Sequence, residues 1–278
     1  MKVLILGGNR FVGKRVAKLL VDNGHQVTLL NRGNFDDGLG AKVERIQGDK
    51  KELSTLVGSR FFDVVIDQIC MSGDDAKNVV SALSHRINHY VITSTMAVYP
   101  QKAHLAESDF QPENYLPQKA TTPLEVYSEA KRSAEHILAT TAPFTWSVAR
   151  FPIIFSGDDP TRRLYEEVQK IKNNEGVCYE NTEAFFSFIH ADDAARALYN
   201  LAIYQYPGAY NFASEASIKL KEFLEIISKE VGMKFRLDDT KAPSPFSIKN
   251  SWTMNVEKSL SIGCSYQKIS DWLPKLIS

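Results

Sequence analysis

The sequence predicts an α/β protein: a doubly wound parallel sheet followed by a smaller, less regular C-terminal lobe. Three observations carry that expectation. Short apolar runs are continuous rather than alternating, as in strands buried on both faces. Amphipathic helical segments separate most of them, the order that makes parallel strands. The length of 278 residues, 44% hydrophobic and 24% charged, suits one large domain or a domain with an appendage.

Val3–Leu6 reads as the first buried strand, followed by a glycine turn at Gly7-Gly8. Val12, Val16, Leu19 and Leu20 recur at helical spacing, and Asn23-Gly24 closes that helix. Further strands are expected at Val27–Leu30, Val43–Ile46, Val64–Ile66, Tyr90–Thr93 and Thr145–Val148, with helices over Asp75–Leu83 and Val126–Ala139. Beyond residue 155 the pattern changes. Helices are expected over Arg162–Lys172, Asp192–Tyr204 and Leu220–Val231, a strand at Ser187–His190, and a loop over Lys241–Asn250 with Pro243 and Pro245. The division expected is a first unit over 1–155 and a lobe over 156–278 interleaved with the last sheet elements.

Composition excludes several functions. Lys plus Arg and Asp plus Glu number 33 each, so no bulk cationic attraction draws the chain to nucleic acid or an anionic membrane. No stretch reaches the roughly 18 consecutive apolar residues of a membrane helix. With the first strand so close to Met1, no signal peptide is expected. Cys70, Cys178 and Cys264 are scattered and in no CxxC pair. Neither a disulfide framework nor a zinc site is expected, and a reducing cytoplasm is the expected location. His85 and His89 have no third metal ligand and are expected at the surface or a helix end. His190 is expected to make a structural hydrogen bond. No GxSxG elbow is present.

Gly7-Gly8-Asn9-Arg10-Phe11-Val12-Gly13 joins the first strand to the first helix. Gly7 lets the chain turn off the strand, and Gly13 lets the helix approach the sheet. The exposed amides and positive helix end suit a pyrophosphate, the Rossmann-type arrangement. Arg10 stands where the usual fingerprint has its middle glycine. The second strand ends in Asn31-Arg32, where an acidic residue would accept bonds from ribose hydroxyls. Arg10 and Arg32 could instead grip a 2′-phosphate, which favours NADP over NAD; the alternative for Arg32 is a solvated turn. Asp49 suits either the adenine amino group or a turn.

Tyr127 and Lys131 sit four apart on one helical face. A phenol is ordinarily a poor base at neutral pH, and an ammonium or oxidised nicotinamide beside it favours the phenolate. Lys131 can also bond the nicotinamide ribose. Thr93-Ser94-Thr95 lies at the carboxyl end of the fifth strand, where ligands of open α/β sheets bind, so Thr95 or Ser94 can offer a hydroxyl.

The chain resembles the extended short-chain dehydrogenase/reductases, the NAD-dependent epimerase/dehydratase group. The resemblance runs through Gly7–Gly13, Asp49, Ser94–Tyr99, Tyr127 with Lys131, Ala149–Pro152, Phe188–Asp193 and Gly208–Phe212. It implies an NAD(P)-dependent oxidoreductase or epimerase/dehydratase acting on a small hydroxylated or sugar-nucleotide-like substrate. Tyr127 would be the acid/base, Lys131 its partner and Thr95 the third hydroxyl. Phe151, Pro152 and Ile153 would lie along the nicotinamide. A homodimer is likewise implied. The arginine-containing turn and Gly157–Arg163 are similar to a branch that includes chloroplast stem-loop RNA-binding proteins and bacterial oxidoreductases. The competing expectation is therefore a catalytically weak nucleotide-binding sensor or RNA-binding protein on the same fold. Arg162 and Arg163 are candidates for a substrate phosphate, or a solvated helix start. The Pro-containing segment Gln101–Thr122 is expected to border the site as a loop.

Overall fold

A computed structural model describes residues 1–277. The sheet has seven parallel strands. They are β1 (Lys2–Leu6), β2 (Gln26–Asn31), β3 (Glu44–Gln47), β4 (Phe62–Asp67), β5 (Ile87–Thr95), β6 (Thr145–Phe151) and one contributed from much later in the chain, Gly208–Asn211. That last strand lies outside β6, and the order continues through β5, β4, β1 and β2 to β3. Neighbouring strands are in close register: Val3 faces both Val27 and Val64, and Thr95 faces Phe151 at the carboxyl end.

Alternate residues of each strand enter opposite cores, which is why the central runs are apolar throughout. Val3, Ile5, Ile66 and Val91 meet α1 (Phe11–Asp22) and a later helix, Ala191–Tyr204. Leu4, Leu6, Val65 and Ile92 meet α2 (Leu53–Val57), α3 (Gly73–Leu83) and α4 (Pro123–Thr141). The start of α4 is fixed locally. Thr122 accepts from the Glu125 N–H, the Glu125 carboxylate accepts from the Thr121 and Thr122 N–H groups, and Pro123 occupies the first turn.

From residue 153 the chain leaves the sheet and returns to it. Next come β7 (Ile153–Phe155), α5 (Arg163–Lys172), β8 (Phe185–Phe186), β9 (Phe188–His190) and α6 (Ala191–Tyr204). Then β10 (Gly208–Asn211) completes the main sheet. The remainder is β11 (Ile218–Lys219), α7 (Leu220–Val231), α8 (Glu257–Ser261) and α9 (Ile269–Ile277). β7 pairs with β9 and β8 with β11. This part has its own aromatic core. Phe155 stacks on Phe188 at 4.9 Å, Phe188 on Phe223 at 5.3 Å, and Phe246 meets all three edge-on.

One expectation needs correction. His89 is neither a surface nor a helix-end residue: β5 begins earlier than the periodicity indicated and carries His89 fully buried, bridging Thr145 Oγ1 (2.8 Å) and Ser147 Oγ (2.6 Å). His85 is exposed in the left-handed turn before the strand. The three cysteines are free thiols. Among the described residues no helix is long and apolar enough to cross a membrane, and no cluster of His, Cys, Asp or Glu is arranged to hold a metal.

Candidate active site

Two hollows flank the N-terminus of α1 along the carboxyl edge of the sheet. Gly7 (φ 97°) and Gly8 (φ 85°) turn the chain off β1 in a conformation side chains rarely adopt. Gly13 is required for proximity instead: a Cβ there would lie 2.8 Å from the Gly8 Cα. Arg10 precedes the helix without capping it, and the first turn holds no acidic residue. The leading amides and positive helix end are therefore left for an anionic ligand.

The first hollow, about 340 Å³, is bordered by Gly7, Asn9, Arg10, Asn31, Arg32 and Asp49. Sequence-distant residues expected at a cofactor are thus brought together. Arg10 lies over the Phe35 ring at 4.2 Å, and the exposed Arg32 guanidinium has no hydrogen-bond or ion-pair partner among the described residues. Asn31 is partly committed: its Oδ1 accepts from the Gly33 N–H at 2.8 Å. The Asp49 carboxylate takes the turn-forming option, accepting from the Lys51 N–H at 2.9 Å, while still bordering the hollow. Val12 is a core residue, 3% exposed.

The second hollow is larger, about 560 Å³, and Phe11 stands at its join with the first helix turn. Thr95 comes to it from the end of β5, Tyr127 and Lys131 from α4, and Phe151, Pro152 and Ile153 from the β6–β7 junction. Lys131 is 4% exposed, and its ammonium donates to the Cys70 and Thr93 carbonyls at 2.7 and 3.0 Å. Those bonds aim the side chain and leave its third proton uncommitted. Tyr127 is half-buried on the same face. Thr95 accepts from the Ala97 N–H at 3.1 Å, so its own proton is available.

Ser94 points the other way, into a buried polar network. It and Arg150 both bond the Glu135 carboxylate, with the Arg150 Nη2 at 2.6 Å. Arg150 also donates to Tyr99 Oη (2.7 Å) and to the Glu107 and Phe110 carbonyls, and Tyr99 bonds Asn211. Burial would discharge Arg150, but Glu135 and Tyr99 keep its guanidinium above its ordinary range. The network locks the end of β5, the segment after it and β10 together.

The two neighbouring arginines separate. Arg163 borders the larger hollow, its Nε donating to Thr161 Oγ1 at 3.0 Å. Arg162, in a left-handed conformation, turns to an adjoining hollow and stacks on Tyr165 at 4.3 Å. Arg15 of α1 bridges Asp158 (2.9 Å) and Asp192 (2.7 Å), pinning the segment before them to the cofactor-side helix. His190 caps α6, accepting from the Asp192 N–H at 3.3 Å. Of the Gln101–Thr122 segment, Gln101 alone reaches the larger hollow. Several wall residues had no mark in the sequence: Gln68, which donates to Thr93 Oγ1 at 2.8 Å, and Phe186, Ile248 and Trp252 from the far lobe. A motif could have marked Gln68, just after β4; the others arrive only through tertiary folding.

Comparison with known proteins agrees with this geometry. The profile of a family described as NAD(P)H-binding matches residues 7–177. The chain is 30% identical over 115 residues to the chloroplast stem-loop binding protein of 41 kDa b from Arabidopsis thaliana, covering 35% of this chain and 30% of that one. It is 26% identical over 164 residues to UDP-glucose 4-epimerase from Corynebacterium glutamicum, covering 51% and 47% respectively. The matched stretches thus span about a third to a half of these relatives' own lengths. A UDP-glucuronic acid 4-epimerase from Bacillus cereus, solved with UDP-glucuronic acid and NAD, superposes with a TM-score of 0.76 at 16% identity, over 100% of this chain and 99% of that one. A likeness at that identity speaks for the fold. The profile match, over more than half of the chain, shows that it belongs to the NAD(P)H-binding family, and the order of its motifs is that of an extended short-chain dehydrogenase/reductase.

Proposed function

We propose that the protein is an NAD(P)-dependent oxidoreductase or epimerase acting on a small hydroxylated or sugar-derived substrate, with Tyr127 as acid/base and a preference for NADP. The observation that carries this reading is the meeting of Thr95, Tyr127 and Lys131 in one hollow with Phe151 and Ile153, beside the uncapped start of α1. A bound nicotinamide supplies or accepts the hydride. Tyr127 moves the proton at the substrate oxygen. Thr95 donates its uncommitted proton to the same oxygen and holds it beside the phenol. Lys131, anchored on two carbonyls, has one N–H left that would serve the ribose of a bound cofactor, and its charge favours the phenolate. Arg10 and the unpartnered Arg32 support the NADP preference, since a guanidinium matches a phosphate.

The test combines calorimetric titration of NADP(H) and NAD(H) with turnover of Tyr127→Phe. The expected result is tighter NADP(H) binding and a variant that binds cofactor but does not turn over. Retained turnover in a folded Tyr127→Phe protein refutes the acid/base role. The similarity to a stem-loop binding protein favours a second reading, RNA binding with weak or absent catalysis. It requires RNA affinity that falls steeply with salt.

A further inference from the structure

The substrate side of the larger hollow has a composition that narrows what it can hold. Met71, Met96, Leu124, Phe186, Ile248 and Trp252 supply a largely apolar wall. Among the described residues two cations border it, Lys131 and Arg163. Lys131 is committed to two carbonyls, with one proton left for the cofactor side. The one carboxylate there among the described residues, Asp159, is turned onto its own loop, accepting from the Thr161 N–H at 2.9 Å and its hydroxyl at 2.8 Å. Arg163 spends only its Nε, on Thr161, and no carboxylate pairs with it among the described residues. Its terminal fork of N–H groups is therefore open to a planar anion.

A nucleoside diphosphate sugar brings a diphosphate and two polar rings. Within this hollow its two charges would face a single open guanidinium, since Arg162 turns to the adjoining one, and its many hydroxyls would share the few polar side chains there, chiefly Gln101, Thr161 and Ser247, with most of the wall apolar. The same 560 Å³ must also take the nicotinamide end of the cofactor. We infer that this site takes an oxo acid or its hydroxy acid with an alkyl or aryl body: the carboxylate on the Arg163 fork, the body against Phe186, Ile248 and Trp252, and the carbonyl oxygen between Tyr127 and Thr95.

This inference rests on the oxidoreductase reading above. In the reducing direction the reduced cofactor gives a hydride to the carbonyl carbon. The carbonyl π bond breaks toward oxygen, and that oxygen takes the Tyr127 proton. The products are the hydroxy acid and the oxidised cofactor, and solvent reprotonates the phenolate.

The experiment titrates protein saturated with NADP⁺, so that binding is read without turnover, using phenylpyruvate, its neutral methyl ester and UDP-glucose. Phenylpyruvate is expected to bind about tenfold or more tighter than the ester and than UDP-glucose, the discrimination a charge-assisted fork supplies. Arg163→Ala should abolish the acid-over-ester preference, Arg163→Lys should keep part of it, and NADP⁺ affinity, which also reports folding, should hold in both. UDP-glucose binding as tightly as phenylpyruvate, no phenylpyruvate binding, or an acid-over-ester ratio unchanged in Arg163→Ala overturns the inference. These outcomes leave the oxidoreductase reading intact, because cofactor binds in each. Absence of NADP⁺ and NAD⁺ binding in the first titration refutes both together.

Discussion

Removing the Glu135 carboxylate tests how the catalytic edge of the sheet is held. Glu135 and Arg150 are both fully buried, and Arg150 reaches Glu135 through Nε at 3.2 Å and Nη2 at 2.6 Å. Replacing a buried ion pair by apolar residues is often nearly neutral, but deleting one partner strands the other charge and costs about 3–5 kcal/mol. In Glu135→Ala the guanidinium keeps Tyr99 and two carbonyls, which stabilise it but do not neutralise it. The expected loss is therefore about 3–5 kcal/mol, a large share of the about 5–15 kcal/mol that holds a typical domain. In thermal unfolding that is a fall on the order of 10 °C. The double replacement Glu135→Leu with Arg150→Met should recover most of the stability. Turnover should stay low in it, because Ser94 loses its acceptor beside Thr95. Denaturant melts of the wild type, single and double variants decide the matter. A Glu135→Ala loss under 1 kcal/mol, or a double variant as unstable as the single, refutes the reasoning.

Arg32→Glu should weaken NADP(H) binding by about tenfold or more while changing NAD(H) binding far less, since a carboxylate repels the 2′-phosphate; calorimetry checks this. Gly13→Ala should destabilise by about 1–3 kcal/mol and weaken cofactor binding, because the new methyl meets Gly8 backbone at 2.8 Å and one of the two segments must move; paired melting and titration read both effects. Burial pushes the His89 imidazole down to about 4 from its ordinary 6.5. The unfolded chain then binds the extra proton first as pH falls, so the contribution is complete above pH 6.5 and is lost on descending toward pH 4. At most about 3 kcal/mol is involved. Denaturant melts across that window should flatten in His89→Gln.

The sheet was legible because its strands are buried on both faces. Val3–Leu6 and Val64–Ile66 carry apolar residues at every position, as a strand with one face in water does not. The glycine turn and the Tyr127–Lys131 spacing were legible because local geometry alone shapes the turn and puts both side chains on one helical face. The far lobe was less so. Its β8 and β11 have two residues each, too short for any periodicity, and its core gathers Phe155, Phe186, Phe188, Phe223 and Phe246 one or two at a time from separated segments. Helix α9, not expected from the sequence, contains Pro274, a residue that weakens the helical signal around it. Arg162 and Arg163 looked equivalent as neighbours in sequence. A left-handed residue immediately before α5 sends them to different hollows. His89 looked like half of an i,i+4 pair with His85, whereas the chain turns between them and puts His89 inside a strand.

The late position of β10 shapes how the chain is made. β6 ends at Phe151, and the strand that covers its outer edge begins at Gly208, behind most of α5 to α6. A ribosome adding about 5–20 residues per second leaves that edge, and the face later covered by α6, unprotected for roughly 3–12 s. An open strand edge is a template for pairing with another chain. Newly made protein should therefore depend on a chaperone that shields it until Asn211 emerges. Fragments ending near residue 155 should associate through β6, where the full chain does not.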